Sequence, residues 1–280
     1  MTSQMEWSGI GGNFPDTTLS DRVRHFAAAK PEAPAILTAT TSLSWRELDA
    51  RADRLASALQ QQGMGPGDRL AWLGRNGPEF PVVLLAARRA RLILVGLNWR
   101  LSASELEAII ARTAPGLVIG DAEFAGHVPG RFTFIDAATE LDPFIADAPL
   151  PVPDHSEPDD LCTLFFTSGT TGEPKALAYT CESAERMTFA PSTMAFTSES
   201  RLLIVAPVFH TAGWSWTQYG LAGGMTQIQL SHATPAAMFD ALEFLGATHA
   251  QWVPAILSTL LKENETRNIP RGQLKMVGYG

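Results

Sequence analysis

Short, unbroken apolar runs that alternate with capped helix patterns constrain this 280-residue chain more than any other feature. Arg69–Leu73, Leu92–Leu97 and Leu117–Ile119 have strand length and no polar residue at every second position. Such strands are buried on both faces, as in parallel sheets covered by helices. Between them, Ser44 with Glu47 has capping-box spacing ahead of an apolar stripe at Leu48, Leu55 and Leu59, which ends near Gly63. Ser102 with Glu105 opens a second such helix through Thr113, and Pro78–Ala90 is apolar enough at Val82–Leu85 to be a buried one. Earlier, Leu19, Val23 and Phe26 mark a helix over Asp16–Lys30 stopped by Pro31, followed by a strand at Ala35–Thr40. Strands alternating with helices of this length imply βαβ units, hence an α/β chain.

Ala146–Asp160 interrupts the pattern with four prolines among acidic residues, which suits an extended connector. The expected division is a first α/β lobe at 1–150, a proline-rich acidic connector at 151–160, and a second α/β lobe at 161–280, incomplete at its C-terminus. In the second lobe, strands are expected at Leu161–Phe166, Ala176–Tyr179, Arg201–Val205, Thr226–Leu230, His249–Trp252 and Leu274–Val277. Helices are expected at Glu182–Phe189, Pro235–Leu245 and from Val253–Leu261 onward. No internal repeat or low-complexity tract is visible.

Composition narrows the function classes. The net charge of −8, with 21 basic residues and no basic run, argues against sequence-independent nucleic-acid binding. Met1–Gly12 lacks the basic start and apolar core of a secretory signal, and no run of about 18 apolar residues is present to span a bilayer. A cytoplasmic location is the resulting expectation. Cys162 and Cys181 are too few for a disulfide framework and read as plain thiols. None of His25, His127, His155, His232 and His249 has metal-ligand spacing, so a metalloenzyme is not expected.

The chemistry-bearing stretch is Thr167–Ser168–Gly169–Thr170–Thr171–Gly172–Glu173–Pro174–Lys175, immediately after the strand-like Leu161–Phe166. Its two glycines let successive N–H groups approach one anion, four hydroxyls add rotatable donors, and Lys175 adds a positive charge. A polyphosphate fits such a loop; an ordinary turn built from the same residue types is the alternative. The spacing is not that of a Walker loop. Only two residues separate Gly169 from Gly172, and a strand rather than a helix follows. Further on, Pro207–Val208–Phe209–His210 comes directly after a strand, which sets His210 at the carboxyl end of a sheet where α/β proteins place ligands. A histidine satisfied within its loop is the other reading.

Together these residues resemble the AMP-forming acyl-CoA synthetases of the adenylate-forming superfamily. The nine-residue loop is similar to the family signature. Leu43–Leu48, Gly67–Ala71, Leu97–Leu101, Pro207–Gly213 and Val253–Ala255 resemble further landmarks in the expected order. The resemblance implies stacked βαβ-type mixed or parallel sheets covered by helices, as in the large N-terminal domain of adenylate-forming enzymes, here truncated. It implies ATP-dependent activation of a carboxylic acid, fatty or aryl-aliphatic, to an acyl-adenylate and then to acyl-CoA, with ATP, Mg²⁺ and coenzyme A as cofactors. Thr167, Ser168, Gly169, Thr170, Thr171, Gly172 and Lys175 would hold the phosphates. Lys175 and His210 would be catalytic, and Phe209, His210 and Trp214 would border the acid, with Trp216 a further candidate. Mg²⁺ would be held mostly by ATP phosphates and one carboxylate, with Thr167 as this chain's contribution.

Two departures from the family pattern stand out. Ala176 occupies a position where glycine is usual, and Thr180–Cys181 stands where Thr-His is common. The resemblance also places Tyr279–Gly280 at the opening of the adenine site. The ribose, metal and C-terminal lysine motifs are thus expected beyond this stretch, and the 280 residues alone are expected to be inactive. An adenylation enzyme that loads a carrier protein, and a non-catalytic nucleotide- or partner-binding module, are the competing readings.

Overall fold

The computed structural model describes residues 17–149, 152–167, 175–188, 194–267 and 273–279. In chain order the elements are α1 (Leu19–Ala29), β1 (Pro34–Leu37), β2 (Ser42–Ser44), α2 (Trp45–Gln61), β3 (Arg69–Leu73), α3 (Glu79–Arg89), β4 (Ile93–Gly96), α4 (Ala103–Thr113) and β5 (Leu117–Gly120). A 3-10 turn (Ala122–His127), β6 (Phe134–Asp136), α5 (Leu141–Ile145), β7 (Leu161–Thr167), β8 (Lys175–Thr180) and α6 (Cys181–Met187) follow. The rest comprises β9 (Arg201–Ile204), α7 (Thr211–Ala222), β10 (Thr226–Gln229), α8 (Pro235–Glu243), β11 (His249–Trp252), α9 (Pro254–Arg267) and β12 (Met276–Tyr279).

The strands form two six-stranded, mostly parallel sheets, ordered β12-β11-β9-β10-β1-β2 and β6-β5-β3-β4-β7-β8. Each ends in one antiparallel edge pair, β1 with β2 and β7 with β8. The α/β class and the stacked mixed sheets expected from the sequence are therefore present. Sheet membership, however, does not follow the expected division at 151–160. β7 lies beside β4 in the sheet of the earlier strands, and β1 lies beside β10 in the sheet of the later ones. Local periodicity marks a strand but carries no information about which distant strand becomes its neighbour.

The unbroken apolar runs sort their side chains by alternation. Leu70, Trp72, Leu94, Leu117 and Ile119 face the core shared with α1, α2 and α3. Ala71, Leu73, Val95 and Val118 face the opposite side, where α4 supplies Leu106, Ile109 and Ile110. The other sheet packs Leu203, Val205, Ile228 and Ala250 against Met238, Phe239 and Leu260 of α8 and α9. Its inner side meets α7 through Trp216. Helices α1, α2, α3 and α7 thus lie between the sheets. The anticipated caps are formed: Ser44 Oγ accepts from Glu47 N, Ser102 Oγ accepts from Glu105 N, and each glutamate returns a bond to its N-cap.

Several elements differ from expectation. The strand anticipated at Ala35–Thr40 ends at Leu37, because Thr38 N donates to Thr41 O at 2.8 Å and closes a turn into β2. The short β2, β6 and α5 carry too few residues to show a period. The important omission is α7. It is buried over Gly213–Gln218 and Gly220–Ala222, with Ser215, Thr217 and Gln218 buried alongside the tryptophans, so no solvent-facing charged side sets off an apolar stripe.

His249 of β11 is fully buried, with its Nδ1 2.8 Å from Thr248 Oγ1 and the Phe196 ring 5.1 Å away. Burial and the nearby Lys275 ammonium push its pKa below the ordinary histidine value, against hydrogen bonds to the Ala195 and Met194 backbone. The folded chain therefore binds this proton less readily than the unfolded chain. The stability it contributes is complete above about pH 6.5 and is lost as pH falls. His249→Gln is expected to flatten the stability profile between pH 7 and 5, by up to about 1.4 kcal/mol per pH unit. Urea midpoints measured across that range check it.

Candidate functional site

The glycine- and hydroxyl-rich loop closes a hairpin. Thr167, the last residue of β7, is paired with Lys175, the first of β8, and the antiparallel register continues through Phe166↔Ala176, Phe165↔Leu177 and Leu164↔Ala178. Ser168, Gly169, Thr170, Thr171 and Gly172 lie outside the described residues, as do Glu173, Pro174 and the Thr167 side chain. Lys175 is exposed at the loop exit. Ala176, the departure from the family glycine, sits in this regular ladder without a positive φ, so the loop exit makes no demand for glycine there. Thr180, the other departure's first residue, caps α6 by accepting from Ser183 N, and Cys181 is a buried free thiol.

The His210 segment arises on the other sheet. After β9, the turn Ala206–Phe209 leads into α7, with His210 as its N-cap and His210 Nδ1 accepting from Ala212 N at 3.3 Å. That bond leaves Nδ1 as acceptor, so the neutral ring carries its proton on Nε2. His210 is exposed, whereas Phe209 is buried. Helix and turn are in close contact: a Cβ on Gly213 would stand 2.3 Å from Ala206 O and 2.4 Å from Pro207 O. Only glycine allows α7 to start there.

Aromatic rings join the two segments. Trp214 of α7 lies 5.4 Å from Phe165 and 4.8 Å from Tyr179, so it rests on the base of the loop hairpin. A Cβ on Gly96 would meet Phe165 Cε1 at 2.9 Å and Phe209 Cα at 3.2 Å, so β4 also brings β7 and the histidine turn together. Trp216 lies in a different cluster, with Phe196 at 5.8 Å and Met225, on the side of α7 away from Trp214. The structure thus joins Phe209 and Trp214 to the hairpin and places Trp216 elsewhere.

Sequence reasoning missed three neighbours of this junction. Asn76, just beyond β3, makes hydrogen bonds to the turn leading to His210. Arg75 and Arg100 place their guanidinium carbons 4.3 and 4.9 Å from the Trp99 ring, and Trp99 in turn meets Phe209 edge-on at 6.1 Å. Glu123 holds Arg75 through two bonds of 2.8 and 3.2 Å, which raises the arginine's pKa and lowers its own. A cavity of about 250 Å³ opens here, lined by Arg75, Asn76, Trp99, Arg100, Pro207 and His232 among others. All of these residues follow the carboxyl ends of parallel strands. A lone arginine pair next to an indole has no sequence signature; only the fold brings it to the histidine turn.

Among the described residues no group of three histidine, cysteine or acidic side chains is arranged for a metal. No helix described is long and apolar enough to cross a membrane. Trp214 is 1% exposed, and its indole N–H has no partner among the described residues. Trp214→Ala is accordingly expected to destabilise the chain by about 3–5 kcal/mol, as a large cavity in a packed core does. Trp214→Phe keeps most of the ring and removes the unpartnered donor, so it should stay within about 2 kcal/mol of wild type. Urea unfolding of both variants decides the matter.

Comparisons with known proteins bear on the family and the fold. Feruloyl-CoA synthase of an Amycolatopsis species is 33% identical over 268 residues, which are 91% of this chain and 52% of the relative. Fatty acid--[acyl-carrier-protein] ligase ScoC of Streptomyces coeruleorubidus is 29% identical, over 88% of this chain and 50% of the relative. The chain spans about half the length of the curated relatives it matches. Among solved structures, the inhibitor-bound N-terminal domain of FACL13 from Mycobacterium tuberculosis aligns with a TM-score of 0.85 at 25% identity, over 94% of this chain and 69% of that one. The o-succinylbenzoate CoA synthetase MenE of Bacillus subtilis shares the fold, with a TM-score of 0.82 at 23% identity over 93% of this chain and 68% of that one. The family profile described as AMP-binding enzyme matches residues 23–280, and the chain belongs to that family.

Proposed function

We propose that this chain provides the N-terminal part of an AMP-forming acid–thiol ligase, which activates a fatty or aryl-aliphatic acid with ATP and passes it to coenzyme A. The observation that carries the reading is the closure of the Thr167–Lys175 loop on a hairpin whose base packs against Trp214, four residues beyond His210. A phosphate grip and an acid-side histidine are thereby attached to one junction. In the first step the acid's carboxylate attacks the α-phosphorus of ATP and pyrophosphate leaves. In the second the coenzyme A thiol, giving up its proton, attacks the acyl carbon and AMP leaves.

The loop's N–H groups and hydroxyls, with Lys175, hold the β- and γ-phosphates and neutralise the charge that builds on pyrophosphate. His210, Phe209 and Trp214 form the acid side, where His210 Nε2–H can donate to the carboxylate. Mg²⁺ would be held mainly by the ATP phosphates, with the Thr167 hydroxyl as this chain's contribution, which suits a small cation that prefers oxygen ligands. When bound, the metal offsets phosphate charge; the positioning is done by the chain.

The acceptor distinguishes two versions of this reading, since one relative is named as a CoA synthase and another as a carrier-protein ligase. Arg75 and Arg100 against Trp99, beside a cavity next to Phe209, favour coenzyme A, because cations on an aromatic plate suit a phosphorylated nucleotide.

Two measurements test the proposal in a protein that carries this chain at the full length of its relatives. Lys175→Ala should reduce acid-dependent exchange of pyrophosphate into ATP by about 2–4 kcal/mol in activation free energy. Unchanged exchange removes the loop from the chemistry. Arg100→Ala should raise the KM for coenzyme A about tenfold, the loss expected for one charge-assisted contact. The same KM in wild type and variant favours the carrier-protein acceptor.

A further inference from the structure

We propose that Asn76 is a positioning residue for acid activation, acting through the backbone of the turn that presents Phe209 and His210. This inference rests on the function proposed above. The side chain of Asn76 is 6% exposed and spends its hydrogen-bonding capacity on that one turn. Its Nδ2 donates to Ile204 O at 3.2 Å and to Ala206 O at 3.0 Å, and its Oδ1 accepts from Val208 N at 3.0 Å. One amide thus holds three backbone groups at alternate residues, from the last residue of β9 to the residue before Phe209. The turn closes with His210 N donating to Pro207 O at 3.0 Å, and Gly213 of α7 presses on it from the other side.

The direction of the link matters. Asn76 follows β3 and belongs to the sheet that carries the phosphate-loop hairpin, whereas residues 204–208 leave β9 in the other sheet. Among the described residues no strand of one sheet pairs with a strand of the other, so their separation depends on contacts such as this one. An asparagine amide suits the task because it offers both signs at once: two N–H donors for two carbonyls and one oxygen for an N–H. Aspartate has the same shape and the wrong signs, since as a carboxylate it sets oxygen against the Ile204 and Ala206 carbonyls. Protonated, it regains one donor.

That contrast separates positioning from bulk. If Asn76 only fills space, Asn76→Asp is the mild variant and Asn76→Ala the harmful one. If it orients the turn, Asn76→Asp is at least as harmful as Asn76→Ala above neutral pH and recovers on acidification. Burial against two carbonyls raises the pKa of the new carboxyl, which places that recovery within reach of a stable protein. The charged groups around it are Arg75 with Asp121 and Glu123, Glu79 on α3, and Arg100 and His232 across the cavity. They are common to all three proteins, so ratios between variants at each pH cancel their titration.

The experiment measures acid-dependent pyrophosphate exchange in the full-length wild type, Asn76→Ala and Asn76→Asp from pH 5.5 to 8. In parallel, amide hydrogen exchange at Val208 is followed in the 280-residue chain. Expected are a loss of at least tenfold in exchange rate for both variants at pH 8, an unchanged KM for ATP, and a rise of several-fold in the Asp:Ala activity ratio at pH 5.5. Val208 N–H should be strongly protected in wild type. A pH-independent Asp:Ala ratio, or an unprotected Val208 amide, overturns the positioning role even if wild type is active. A wild type that exchanges no pyrophosphate with any fatty or aryl acid overturns the proposed function and this inference with it. If either variant fails to fold, the Val208 protection in wild type decides alone.

Discussion

Four buried sheet faces have to be covered by one chain, and that constraint governs where everything else in this molecule can go. Both sheets are buried on both faces, β10 turning the buried Gln227 and Gln229 to one of them, so neither can be left open to water. The outer faces take amphipathic helices. The inner faces share helices, and a shared helix has to be buried all round and thin where it meets backbone. α7 meets both demands: Trp214 points toward the hairpin sheet, Trp216 toward the other, and Gly213 and Gly220 stand where a side chain would collide with Pro207 O and Gln227. His210 inherits its position from this packing, as the N-cap of a helix that could start nowhere else.

Charge is buried in the same layer. Arg89 of α3, 1% exposed, bonds Asp49 and Asp53 of α2 at 2.5 and 2.7 Å, and Arg24 of α1 reaches Asp53 at 3.1 Å. Glu185 of α6 accepts from Arg88 of α3 at 2.5 Å and from Leu19 N at 2.9 Å, with Arg22 3.6 Å away. Buried pairs add little net stability over apolar packing of equal volume, but removing one partner leaves a charge with no solvent. Their effect is to fix the orientation of helices that apolar contacts alone would let slide. Since α6 follows β8 directly, the Glu185 network also anchors the exit of the β7–β8 hairpin.

Much of the fold was readable because its signals are local. Capping boxes at Ser44 and Ser102, and unbroken runs such as Leu92–Leu97, report their own conformation. The Thr167–Lys175 loop could be singled out from sequence because the donors proposed for a polyphosphate are consecutive in the chain. What could not be read is set by packing at long range. Helix α7 has no charged side facing solvent, β1 and β7 find their neighbours across more than 60 residues of chain, and Asn76 looks like any loop asparagine until β9 is brought beside it. The tryptophan pair shows the limit within a motif: two residues apart on a helix, Trp214 and Trp216 face different clusters, and the sequence offered both for one pocket.

The proposed chemistry sharpens the importance of those long-range contacts. A carboxylate and an α-phosphorus react usefully only when held about 3–3.5 Å apart and in line. The proposed phosphate grip follows β7 and the histidine turn follows β9, in sheets with no strand pairing between them among the described residues. Pairing within each sheet fixes where β7 and β9 end, yet it says nothing about the distance between those two ends. It is set at three places: the Phe165–Trp214–Tyr179 cluster, the close approach at Gly96, and the Asn76 amide. A change at any of them shifts one half of the site against the other without touching a residue that meets substrate. The specificity of such a site therefore depends on the layer between the sheets as much as on its lining.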